Sequence, residues 1–128
     1  MKAMMLGLAG ALSLAAVQAS AADVKGEVVN AETHAGLAAQ ATDLDGVHMH
    51  LHHALNCLVG PNGAGFDAKQ MNPCANSGNG AIPDTTDAAK RKSLEAAADK
   101  AKSGIAATDL AAAKKDATAT AAMLKPLE

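Results

Sequence analysis

From His34 to Leu58 the chain advances by three and four residues in strict alternation, through Leu37, Ala41, Leu44, His48, Leu51 and Leu55. That spacing sets every member on one stripe of an α-helix, and a strand, whose side chains repeat every two residues, cannot keep it. The simplest reading is one long helix over 30–59, with Asn30 as N-cap and Glu32 in its first turn. Asp43-Leu44-Asp45-Gly46 is the objection. Glycine inside a helix costs about 1 kcal/mol, and Asp45 offers a cap for a second helix. The stripe keeps its phase across Gly46, so the continuous helix is preferred. A helix–turn–helix bending near Asp45 is the alternative.

Gly60-Pro61 ends this element. Glycine and proline then recur through Gly63, Gly65, Pro73, Gly78, Gly80 and Pro83, so residues 60–84 read as a loop. A loop that long inside a small domain is functional or cross-linked, and Phe66 is expected to plug it onto the helices. Residues 85–125 read as an alanine-rich helical hairpin. Asp84 or Thr86 opens its first helix, Leu94, Ala98, Ala101 and Ile105 form the stripe, and Ser103-Gly104 ends or bends it. Thr108 caps the second helix, whose face is Leu110, Ala113, Ala117, Ala121 and Leu124, and Pro126 closes it. The expected fold is all-α. It is a three-helix bundle with a long first helix, or a four-helix bundle if that helix breaks.

Such a bundle has little to pack with. The chain holds no Trp, no Tyr and one Phe, the residue types that normally bring most area to a core. Alanine lets helices approach closely but buries little per residue, so a domain this small needs further ties. Cys57 and Cys74 supply one. The start of the chain reads as a secretory signal peptide over 1–21: Met1-Lys2 is basic, Ala3 to Val17 is apolar and uncharged, and Ala19-Ser20-Ala21 is an A-x-A cleavage site. Residues 22–128 then form a single domain, periplasmic or secreted. In an oxidising compartment a Cys57–Cys74 disulfide is the default, closing a loop of about 17 residues worth roughly 3 kcal/mol. Two thiolate metal ligands are the competing reading.

The second tie is a metal. All five histidines lie between His34 and His53, four of them in His48-Met49-His50-Leu51-His52-His53. Neutral imidazole is the commonest protein ligand of first-row transition metals. His48 and His52 are one helical turn apart and point the same way, the arrangement by which a helix chelates an ion. Water, Glu95, Met49 or another protomer would complete their site. His50 and His53 form a second pair on the opposite side, next to Cys57, so the cluster suits two weak sites better than one closed tetrahedron. His34 depends on the fold. In a continuous helix it stands about 21 Å from His48; if the chain bends near Asp45, it returns alongside His52 or His53. Copper, nickel and zinc all suit these donors.

Other chemistries lack their residues. The formal net charge is −2 with no basic patch, which argues against nucleic acid and anionic membrane as partners. There is no C-x-x-C-H for covalent haem, no H-E-x-x-H, no phosphate-binding glycine loop followed by lysine, and no recognisable nucleophile arrangement. The chain is therefore not expected to be an enzyme.

The hairpin segments Ala98-Asp99-Lys100-Ala101-Lys102-Ser103-Gly104 and Leu110-Ala111-Ala112-Ala113-Lys114-Lys115, with the histidines, resemble the small periplasmic histidine-rich metal-binding proteins of proteobacteria, which are helical bundles. The resemblance implies metal binding in the periplasm and transfers no ligand residue. Here the histidines gather outside the hairpin, and a disulfide-closed loop is added. The expectation is an exported protein that binds or buffers copper, nickel or zinc. The alternative is a metal-independent interaction module that docks a partner through the 60–83 loop or a helix face, with a second copy of the chain or another protein as that partner.

Overall fold

The computed structural model describes residues 21–128, all but one residue of the expected signal peptide lying outside them. The described residues are helical and contain no strand: α1 Val24–Gln40, α2 Leu44–Val59, the single turn α3 Ala81–Asp84, α4 Ala88–Ala106, α5 Leu110–Leu124 and a 3-10 turn Lys125–Leu127. No helix among them is long and apolar enough to cross a membrane.

The expected single helix over 30–59 is two helices. Ala41 turns into extended backbone, and the Asp43 carboxylate accepts a hydrogen bond from the Gly46 amide at 2.7 Å. The cap is thus Asp43, two residues before the one anticipated. A capped helix start outweighs an unbroken stripe, because it satisfies an amide that the turn would otherwise orphan. The stripe's upstream half belongs to a different face: Leu37 is 41% exposed, and α1 instead buries Val28, Ala31, Ala35 and Ala38. Its start also lies earlier than Asn30. The Asp23 carboxylate caps the Gly26 amide at 2.8 Å, and Asn30 sits inside the helix, donating to the Gly26 carbonyl.

The break yields the four-helix arrangement. α1 packs on α2 and α5, and α4 packs on the same two, closing a ring in the order α1, α2, α4, α5. α2 is the central element, and its second half is buried on every side from His53 to Val59. Leu51, Leu55 and Leu58 supply the bulk, each worth about 1.5–3 kcal/mol on burial. The facing helices answer mainly with alanine: Ala97, Ala98 and Ala101 from α4, Ala113 and Ala117 from α5. Small side chains there leave room for leucine. Gly104 does not end α4. It lies inside the helix, where a Cβ would stand 2.5 Å from Leu51 Cδ1, so the helix continues to Ala106 and the glycine lets α2 come close. Asp87 and Asp109, not Thr86 and Thr108, cap α4 and α5.

The 60–80 segment is held at three points. Cys57 and Cys74 form a disulfide, Cα atoms 5.1 Å apart. Phe66 packs against the core cluster containing Leu55, Leu58 and Leu94. Asn56, fully buried, donates through its amide to the carbonyls of Asp67 (3.0 Å) and Met71 (3.1 Å) and accepts from the Asp67 amide at 2.9 Å. Gly60 sits at φ 69°, and any Cβ there would overlap the Asn79 carbonyl, so this turn admits only glycine.

One buried carboxyl was not foreseen. Glu27 on α1 is fully enclosed, with Oε1 accepting from the Gly80 amide at 3.0 Å. Burial, with Asp84 and Asp23 nearby, raises its pKa to about 7 against the opposing pull of the Gly80 amide. Asp84 is itself held by the Asn79 amide at 2.6 Å.

Candidate metal centre

His34 and His50 are equidistant in sequence from Thr42, at the centre of the turn between α1 and α2. Folding the chain back there sets the two imidazoles side by side, Nδ1 to Nδ1 at 3.4 Å. His53, three residues beyond His50, shares its side of α2. The rings of His34 and His53 have centroids 5.1 Å apart, and those of His50 and His53 5.7 Å, each pair nearly perpendicular. One nitrogen from each of the three rings lies within 4.8 Å of the other two. Among the described residues this is the group of three potential ligands close enough to share an ion.

The spacing can be tested against what an ion requires. Two nitrogens held about 2.0–2.1 Å from a tetrahedral metal stand about 3.3–3.4 Å apart. The His34–His50 separation already meets that value, and His53 must close by at most about an ångström and a half from the 4.8 Å limit. His53 is 6% exposed, and its Nδ1 is buried without a hydrogen-bond partner among the described residues. A buried polar atom left unpaired costs about 1–3 kcal/mol, a cost that ligation of that ring would offset.

Electrostatics favour the ligating form. Burial lowers the pKa of His34, and the neighbouring His53 and His50 lower it further. Burial and His50 do the same for His53, with Gln70 of the loop pulling weakly the other way. His34 and His53 thus stay neutral, with a lone pair free, to lower pH than an ordinary histidine. Three neutral imidazoles with no thiolate make a donor set of borderline softness that suits Cu(II), Ni(II) and Zn(II).

The other anticipated donors lie elsewhere. His48 donates from Nε2 to the Ala107 carbonyl at 2.9 Å, so it faces the α4–α5 junction. His52 turns Nδ1 towards the Asp67 carboxylate, 3.8 Å away. The i,i+4 pair of strongest sequence signal is therefore not where three imidazoles converge. Cys57 and Cys74 are both consumed in the disulfide, which removes the thiolate-ligand reading. Glu95 is exposed on α4, and Met49 is 41% exposed. Asn56 left no signal, since a buried asparagine that clamps a loop looks in sequence like any polar residue on a helix.

No family model, curated protein or solved structure matches this chain.

Proposed function

We propose that this is an exported, periplasmic protein that binds or buffers a divalent transition metal, copper, nickel or zinc, through His34, His50 and His53. The observation that carries the reading is the convergence of three ring nitrogens within 4.8 Å, two of the rings from one helix and the third from its neighbour. Three imidazoles crowded together, with the His53 ring buried and its Nδ1 unpaired among the described residues, are an expensive arrangement, and an ion gives them a common partner. The apolar leader ending in Ala19-Ser20-Ala21 and the Cys57–Cys74 disulfide support export to an oxidising compartment. The ion is cargo in this reading, held without chemical change, and the resemblance to periplasmic histidine-rich bundles agrees with it.

Calorimetric titration of untagged protein with Cu(II), Ni(II) and Zn(II) at pH 7.5 tests the proposal. Saturable binding that weakens at least 100-fold in His34→Ala/His50→Ala/His53→Ala is expected. Equal affinity in the wild type and the triple variant removes these residues from the function.

A further inference from the structure

His48 and His52 both border a second place. With Asp45, Gly46, Met49 and Gln70 they line an open cleft of about 490 Å³ beside the first half of α2. The hydrogen bonds around the two rings decide which nitrogens are free. A carbonyl only accepts, so the His48 Nε2 that lies 2.9 Å from the Ala107 oxygen must carry the proton, and Nδ1 keeps the lone pair. His52 Nδ1 is buried with no hydrogen-bond partner among the described residues and faces the Asp67 carboxylate at 3.8 Å. A proton on Nδ1 is the form that the carboxylate attracts, and it leaves the Nε2 lone pair for an ion. A backbone carbonyl on one histidine and a carboxylate facing the other are the outer partners by which proteins orient metal-binding imidazoles.

We infer that this cleft is a second metal site, separate from the His34–His50–His53 centre, in which His48 and His52 hold one Cu(II) ion from adjacent turns of α2 and water fills the remaining positions. Two imidazoles one turn apart form a chelate but do not enclose the ion. Cu(II) tolerates such an incomplete set best, because it stands at the top of the divalent affinity order. The Met49 thioether, 41% exposed, and the Asp45 carboxylate border the same cleft. The site is therefore open and two-coordinate from protein, where the other centre offers three imidazoles, and it binds and releases its ion more readily.

Equilibrium dialysis against Cu(II) at pH 7.5, counting bound equivalents, separates this site from the other. Wild type is expected to bind two equivalents of unequal affinity, and His48→Ala/His52→Ala one. His34→Ala/His50→Ala/His53→Ala is expected to lose the tighter equivalent and keep the weaker. His52→Ala alone breaks no hydrogen bond of the fold and should weaken the second equivalent at least tenfold with the helical circular dichroism unchanged. Saturation of the wild type at one equivalent overturns the inference, and so does a second equivalent that survives His48→Ala/His52→Ala. In either case loss of the tight equivalent in the triple variant leaves the three-histidine centre standing, and its retention there counts against that centre alone.

Discussion

Asn56 and Asp67 exchange two hydrogen bonds, side-chain amide to backbone carbonyl at 3.0 Å and backbone amide to side-chain carbonyl at 2.9 Å. The asparagine on α2 thereby acts as a short piece of backbone to which the loop pairs. Truncation leaves the Asp67 amide and the Asp67 and Met71 carbonyls without this partner in a part-buried setting. Asn56→Ala should cost about 2–4 kcal/mol. A lower urea midpoint with faster hydrogen exchange at the Asp67 amide would register it, and an unchanged midpoint would show the clamp to be dispensable.

The disulfide secures the same loop four residues past His53. Replacing both cysteines by serine should lower stability by about 3 kcal/mol, the loop-closure term for a span of 17 residues. Denaturation of the native protein with and without reductant measures it. Reductant should have no effect on the Cys57→Ser/Cys74→Ser variant.

Glu27 sets a pH dependence of defined sign. Its folded pKa, near 7, stands above its ordinary value of 4.5. The protonated carboxyl is thus the form the fold prefers. Its contribution is complete below about pH 4.5 and is lost as pH rises through 7, up to about 3 kcal/mol in all. Glu27→Gln keeps an acceptor for the Gly80 amide and cannot ionise. It should stabilise the protein above pH 7 by about 1–3 kcal/mol and flatten the stability profile between pH 5 and 8. A variant with the wild-type slope would assign that slope to other groups.

Metal binding should run the opposite way with pH. His34 and His53 have pKa values below the ordinary 6.5, so these two ligands are available above that pH, and protons compete as it falls through their lowered values. Zn(II) affinity should be flat from pH 7 to 8 and fall steeply below about pH 6. At pH 7.5 a hundredfold excess of free ion over Kd should stabilise the fold by about 2.7 kcal/mol, visible as a higher Tm that chelator reverses. A Tm indifferent to Zn(II), Cu(II) and Ni(II) would contradict ligation in the folded state.

The helical class, the loop after Gly60 and the C-terminal hairpin could be read from residue spacing, because the leucine and alanine stripes of α2, α4 and α5 bury where their period directs. The break at 41–43 was harder to read. Leu37, Ala41 and Leu44 stay in phase with the stripe of α2, yet one aspartate accepting the Gly46 amide decides the local structure. That single turn also decides the site. Helical spacing alone favours His48 with His52, since it sees neighbours along one helix. The three-histidine group draws on contact between two helices, and its third member, His34, becomes a partner only once the chain has reversed. Glu27 falls before Asn30, the expected start of the first helix, so nothing in the sequence marked it as interior.

All three ligands of the proposed centre belong to two helices joined by residues 41–43, and none of those three residues is itself a ligand. The angle at which that short elbow opens fixes how far His34 stands from the other two rings, while the leucines beneath them hold α2 in place. Metal selectivity is thus adjustable at a distance. A longer or stiffer elbow would change the bite of the three nitrogens, and with it the ionic radius they prefer, with every coordinating residue left as it is.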